Sequence, residues 1–552
     1  MNFYTRLRVL TVTFSFFFVI IIARLFYWQI LTGQEMAAAA DDQHFATLEI
    51  TAKRGEILAS DLTPLVTNQD AFLVFANVKK LKNPIVEIIN KIGTASGDLT
   101  KPDAVWVPLK ERVTGEEKDR IMNFKLPGID YAKEAIRFYP EASSAAHLLG
   151  FVGLDENSRP KGYFGLEGFY ERELAGKTGS RRLERDAFGR PLALSIETET
   201  PAEDGRTIIT SIDKTVQQIT DSYLKKGIET WGAMSGTVIV MDPFTGRIIA
   251  NSSFPAYDPA TYFKYPTNIY KNPAVAETYE PGSIMKPLIM AAAINENKLQ
   301  PDDKCPVCSG PRSLGGGVIK TFNNQYHPNL TMTEVLINSD NTGMVYVGEK
   351  LGKDLLLAYL AKYQFGEKTG IDLQEEEPGR VKTEWYPLDV ATVAFGQGIA
   401  VNPMQMVRGF AAIANGGFLV TPQVATKIGN YEIKPVIGSQ VLSKETTLKI
   451  KEMLVQVNLQ SPLHFPLDRT PGLSKFRIAA KSGTAQIPIA GSYAEDTKTI
   501  ASGIGFAPAD DPKFLVYVKL DEPAVRIWGS DTAGPIFYAI VHDLLLYYNI
   551  SP

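Results

Sequence analysis

Cysteine and histidine are scarce in this 552-residue chain, and neither sign of charge dominates it. Its two cysteines, Cys305 and Cys308, form a single C-P-V-C. That spacing occurs in zinc and redox motifs, but there is no second pair. A local bridge or two free thiols in a loop is the expectation. The five histidines (His44, His147, His327, His464, His542) are scattered, with no pair at ligand spacing, which argues against a histidine metal site. A net charge of -4 gives no strongly basic field, so nucleic acid is not an expected partner.

What is present is ordinary for a globular protein: 45% hydrophobic and 21% charged residues. The length is too great for one core, so two or three domains are expected. The N-terminus carries the first clear signal. Arg6 and Arg8 precede an apolar run from Val9 to Leu31, broken only by Arg24. The run can span a bilayer if Arg24 snorkels to the far interface, where Tyr27 and Trp28 also belong. Glu35, Asp41 and Asp42 follow, so residues 1–8 should be a cytoplasmic tail, 9–31 the anchor, and the remainder outside. The rival is a cleaved signal peptide, with Ala37 to Ala40 as cleavage positions. The apolar region is long for that, which favours an uncleaved anchor.

Residues 42–204 alternate strand-like pieces, such as Thr47–Ala52 and Phe72–Ala76, with polar turns. Arg54-Gly55-Glu56-Ile57, Arg137-Phe138-Tyr139-Pro140 and Gly165-Leu166-Glu167-Gly168 stand out there, and their plain reading is structural: turns and interdomain ion pairs. Pro201 to Gly205 marks a boundary. Residues 205–552 then read as helix, hairpin, buried helical centre, strands and a last apolar helix. That order predicts an α+β domain, an antiparallel sheet packed on helices.

The chemistry centres on Glu280-Pro281-Gly282-Ser283-Ile284-Met285-Lys286-Pro287. A serine and a lysine three residues apart on a helix share a face. Pro287 fits only in a first turn, so the helix should start near Ser283. The positive end of the helix dipole then favours an alkoxide there, and with burial it lowers the pKa of Lys286. The apolar run Leu288–Ile294 marks this helix as central and buried. Alone, S-x-x-K is weak. Downstream come Ser339-Asp340-Asn341, at the end of a capped helix, and Lys481-Ser482-Gly483-Thr484, entered from a strand. S-x-x-K, S-D-N and K-[ST]-G in this order are the signature set of penicillin-binding proteins and serine β-lactamases.

With these motifs in place, nearly the whole chain resembles the class B penicillin-binding proteins, single-pass D,D-transpeptidases of bacterial cell-wall synthesis. Arg54-Gly55-Glu56-Ile57 is similar to the opening of that family's pedestal domain, although Ser60-Asp61-Leu62-Thr63 replaces the usual D-R-N-G. Arg137–Pro140 and Gly165–Glu167 resemble later pedestal motifs. Val393–Gly398 with Asn402-Pro403-Met404-Gln405 resembles the F-G-Q-G…T-P-x-Q segment, with asparagine for threonine at 402. Gly503 to Pro512 resembles the septal rather than the elongation type, and the latter's histidine-tryptophan-phenylalanine stretch is missing.

The resemblance implies a substrate ending in D-Ala-D-Ala on a peptidoglycan stem. Ser283 would attack the penultimate carbonyl and hold an acyl-enzyme. Lys286 is the first choice of base, and Ser339 with Lys481 would relay the proton to the leaving amine. Asn341 would bind the donor peptide's backbone. The N–H groups of Ser283 and Thr484 would form the oxyanion hole. Gly483 would let the substrate lie against the strand, and the hydroxyls of Ser482 and Thr484, with charge from Lys481, would hold the terminal carboxylate. An amine of a second stem takes the acyl group, with no metal or cofactor. β-Lactams should acylate Ser283. A membrane glycosyltransferase and other division proteins are the implied partners. Two rivals stand beside this. One is a hydrolytic D,D-carboxypeptidase or β-lactamase. The other is a non-catalytic division scaffold or β-lactam sensor, against which the intact motifs and the short N-terminal tail argue.

Overall fold

The computed structural model describes residues 2–37, 45–82, 85–92, 107–157, 159–185, 191–461, 472–487 and 498–552. Ala38 to Ala40, Asp41, Asp42, His44 and His464 lie outside the described residues.

The chain divides into two compact units. The first comprises residues 1–54 and 175–205. It holds the helix Phe3–Phe26, continued by a wider turn Tyr27–Leu31, and a three-stranded antiparallel sheet of Phe45–Ile50, Gly179–Arg185 and Pro191–Thr200. Phe3–Leu31 is long and apolar enough to cross a bilayer. The Arg24 guanidinium lies over the rings of Tyr27 and Trp28, 5.5 and 4.9 Å from their centroids. Cation–π contact of this kind keeps the one charge in the run beside interface-seeking rings.

The second unit comprises residues 55–174 and 206–552. Part of it is built on a five-stranded antiparallel sheet, in the order Ile248–Phe254, Ser235–Met241, Phe514–Asp521, Thr499–Ala507, Ala479–Gln486. The central strands Ser235–Met241 and Phe514–Asp521 are buried without alternation because both faces are covered. Val238 and Val240 enter the core under helices Lys214–Trp231 and Ala533–Tyr547. Ile239 and Met241, between them, enter the larger core on the other side. That core contains the helix Lys286–Asn295, of which every residue from Lys286 to Ile294 is buried. The strand carrying Lys481 is thus an edge strand, and its free edge meets the turn that carries Ser283.

The rest of this unit is organised by a seven-stranded sheet. Ile57–Leu58, Pro64–Ala76, Val107–Val113 and Ile129–Phe138 come from early in the chain. Ile208–Thr210, Ala425–Ile428 and Tyr431–Glu432 come from later. Ile208–Thr210 lies parallel to Ile57–Leu58. Two of the early motifs do form an ion pair, but it lies within the early segment and not between domains. Arg137 Nε donates to Glu167 at 2.6 Å, with both side chains buried, and its Nη1 donates to Asn68 at 3.0 Å. Cys305 and Cys308 form a local disulfide.

Candidate active site

The turn bearing Ser283 is a 3-10 helix, Gly282–Met285, that runs straight into the α-helix at Lys286 with Pro287 in its first turn. The α-helix therefore begins three residues later than the sequence suggests. Tight 3-10 turns are common at helix starts, and here Gly282 makes one possible. It adopts φ +58°, and a Cβ on it would lie 2.9 Å from the Thr484 carbonyl oxygen. Its N–H donates to the Gly396 carbonyl at 2.9 Å, and Gly398 N–H donates to Glu280 Oε1 at 2.9 Å. The Phe395–Gly398 segment thus braces the serine turn from behind.

Ser339-Asp340-Asn341 occupies the junction of two helices. Thr331 and Glu334 form a capping box at the start of Met332–Ile337. Ser339 then breaks that helix in the left-handed region, φ +50°. Asp340 starts the next, Asn341–Leu351, by accepting from Gly343 N–H at 2.8 Å and Thr342 Oγ1 at 2.7 Å. One residue stops a helix, the next caps another, and the Ser339 and Asn341 side chains are fixed beside Lys286.

Lys286 is fully buried. Its Nζ donates to the Ser339 carbonyl at 2.6 Å and Asn341 Oδ1 at 2.8 Å, and lies 3.3 Å from Ser339 Oγ. From the edge strand, buried Lys481 reaches Ser339 Oγ at 3.1 Å and the Ser482 carbonyl at 3.0 Å. The Ser339 hydroxyl therefore sits between two buried amines. Ser283, half-buried, lines the same cleft. Burial pushes the Lys286 pKa well below the ordinary lysine range, and the charge of Lys481 pushes it further down, against a smaller opposing effect of Asp340. Burial alone lowers Lys481 to about 7. The dominant influences on Lys286 are thus burial and a second amine, where the sequence alone points first to the helix dipole.

The strand wall holds Ser482, Gly483 and Thr484. A Cβ at Gly483 would lie 2.6 Å from Ser502 Oγ and 2.9 Å from Ile284 Cγ2. The glycine thus admits the serine turn and the neighbouring strand. Thr484 Oγ1 accepts from Gly529 N–H at 2.9 Å, which leaves its own O–H free to donate. The cleft has a volume of about 710 Å³, within the usual range for ligand sites. Phe322 and Trp528 stand at its rim with ring centroids 5.3 Å apart. Asn341 Nδ2 donates to the Lys320 carbonyl at 3.0 Å and so ties the Phe322 loop to the site. Sequence reasoning missed Gly282, Phe322, Trp528 and Gly529. Only Gly282, in P-G before the serine, left a turn signal that pointed to it.

A half-buried serine lining one cleft with a hydroxyl that two buried amines share is the equipment of a serine acyltransferase. Residues 236–542 match the penicillin binding protein transpeptidase domain family, and residues 49–210 match the penicillin-binding protein dimerisation domain family. The chain is 34% identical to stage V sporulation protein D of Bacillus subtilis, over 97% of this chain and 84% of that protein. It is 26% identical to peptidoglycan D,D-transpeptidase FtsI of Escherichia coli, over 96% and 90% of the two chains. Its fold is similar to that of penicillin binding protein 2X from Streptococcus thermophilus, with a TM-score of 0.76 at 23% identity over 92% of this chain and 80% of that one. The chain belongs to the penicillin-binding protein transpeptidase family, in its class B form. It is a serine D,D-transpeptidase of cell-wall synthesis.

Proposed function

We propose that the enzyme cross-links peptidoglycan stem peptides through an acyl-enzyme on Ser283, and that its setting is septal wall synthesis. The observation that carries the mechanism is the Ser339 hydroxyl held between Lys286 and Lys481 at 3.3 and 3.1 Å. A neutral Lys286 amine has two N–H groups and one lone pair. The Ser339 carbonyl and Asn341 Oδ1 absorb both donors, so the lone pair is left as an acceptor, facing the Ser339 hydroxyl at rest and taking the Ser283 proton in the reaction. Ser339 then passes a proton to the leaving amine, with Lys481 as its second neighbour. Backbone N–H groups of Ser283 and Thr484 receive the oxyanion, where one lost donor costs about 10²–10³ in rate. The Thr484 and Ser482 hydroxyls and the Lys481 charge take the terminal carboxylate, and Asn341 holds the donor backbone. A second stem's amine completes the transfer.

In this reading residues 1–8 are cytoplasmic, 9–31 form the anchor, 42–204 the pedestal and 205–552 the catalytic domain in the extracytoplasmic space. A membrane glycosyltransferase and other division proteins are the natural partners of such a protein. Support for the septal setting comes from Gly503–Pro512 and from the likeness to FtsI. The higher identity to a protein named for sporulation favours a second setting, wall synthesis in a developing spore. Intact-mass spectrometry of the protein after incubation with penicillin, beside Ser283→Ala, tests the mechanism. A stable one-drug increase that is absent in the variant is expected, and rapid drug turnover without an adduct would move the reading to a hydrolase. Imaging a fluorescent fusion in dividing and in starved cells separates the two settings.

A further inference from the structure

A second cleft opens beside the catalytic one and shares Leu388 and Thr392 with it. Its walls are the segment Glu377–Lys382, bridged through Arg380 to Ala400, and the helix Pro387–Val393. Unlike the catalytic cleft, it is lined by charge of both signs: Glu280, Glu377 and Asp389 against Arg380 and Lys382. Lys382 is already committed, at 2.5 Å from Asp389. Arg380 and Glu377 are exposed, and neither has an ion-pair partner among the described residues. Glu280 stands three residues before Ser283, and its carboxylate accepts from Gly398 N–H. The floor of the second cleft is therefore tied to the serine turn itself.

We propose that this cleft binds the acceptor stem peptide, with Arg380 holding a carboxylate of that peptide. The inference rests on the transpeptidase reading above. A transpeptidase must seat two peptides, and the strand wall with Ser482–Thr484 is taken by the donor. The acceptor has to reach the acyl-serine from another side, and a cleft that shares the Leu388 and Thr392 wall with the catalytic one offers such a side. The acceptor is a peptide with a free amine and a terminal carboxylate, so it carries both signs, as this cleft does. Its acidic groups concentrate the ammonium form nearby, and a guanidinium is suited to two-pronged contact with a carboxylate. In the transfer the neutral amine attacks the ester carbonyl. A C–N bond forms, the C–Oγ bond of Ser283 breaks, and the proton lost by the amine returns to Oγ.

The test uses the full chain in detergent, with an acyl-D-alanyl thioester as donor. The acceptor is a short peptide bearing a lysine-type amine and a free terminal carboxylate. The readout is the ratio of aminolysis to hydrolysis of the acyl-enzyme, with melting temperature as the check on folding. Arg380→Gln should lower that ratio about tenfold, the worth of one charge-assisted contact, and Arg380→Glu should lower it further. With an acceptor amidated at its terminal carboxylate, unmodified protein and Arg380→Gln should give the same ratio, which a merely structural role would not produce. An unchanged ratio in both variants, with transfer intact in the unmodified protein, overturns the cleft assignment alone. Absence of any penicillin adduct on the unmodified protein overturns the transpeptidase reading and this inference together.

Discussion

Two places in the second unit bury charge completely, and they do so in opposite ways. Under the early sheet, Arg137 and Glu167 form a pair of opposite sign at 2.6 Å. In the catalytic cleft, Lys286 and Lys481 place two groups of the same sign against one hydroxyl. The first arrangement satisfies each charge with the other and serves architecture. The second leaves both amines without a counter-charge, and burial, joined at Lys286 by the charge of Lys481, makes them give up protons. Of these buried charges, the pair of opposite sign braces the fold and the pair of like sign lines the candidate site.

The comparison can be broken most decisively at the reacting pole. Ser283→Ala should abolish the covalent penicillin adduct, and Lys286→Met should slow acylation about 10²–10⁴-fold, the usual worth of a general base, as measured by stopped-flow or intact mass. Lys286→Met strands no buried partner of opposite charge, so its melting temperature should fall far less than that of Glu167→Ala. The supporting pole should respond in the reverse sense. Glu167→Ala strands Arg137 and should cost about 3–5 kcal/mol in chemical denaturation, while the acylation rate of the molecules still folded stays near that of the parent.

A pH profile sharpens the contrast. Acylation should rise with pH as Lys286 loses its proton, then fall as Lys481 loses its own at about 7. Lys481→Arg keeps its charge and should remove the falling limb, and a limb that persists would detach it from Lys481. The linkage has the opposite sign for stability. Unfolded, Lys481 holds its proton up to its ordinary value of 10.5, and folded only to about 7, so its contribution to stability rises with pH between the two.

The smallest effect lies at Asn402. It caps the helix Pro403–Ala414, accepting from Gln405 N–H at 2.8 Å, and its Nδ2 donates to the Glu377 carbonyl at 2.7 Å. Asn402→Ala should cost about 1 kcal/mol. Threonine, usual here in the family, keeps the cap but is too short to duplicate the amide's second bond. Asn402→Thr should therefore lie between the two in a melting experiment.

Much of the site was legible because its residues are specified locally. Ser283, Lys286, Ser339, Asn341 and Lys481 stand in short motifs whose helix, junction and strand settings each leave a signal in the neighbouring residues. The hairpin Ser235–Met241 with Ile248–Phe254 and the final apolar helix were legible for the same reason. Sheet order was not. Nothing in the local pattern says that Ser235–Met241 pairs with Phe514–Asp521, because pairing across so much chain is decided by core packing. Burial of Lys286 was legible from the apolar run that follows it, but the added push from Lys481 was hidden, because that residue stands far along the chain. Asp372, which accepts from Tyr170 and from the N–H groups of Val424 and Ala425, had no motif to announce it.

The shared sheet also bears on how far the chain can be cut. Ile208–Thr210 is hydrogen-bonded to Ile57–Leu58 on one side and to Ala425–Ile428 on the other. A cut placed between residues 58 and 208 would separate strands that complete one another. It would leave bare backbone donors and acceptors on both fragments, a ready template for aggregation. A soluble fragment of this unit therefore has to keep both sides of that ladder.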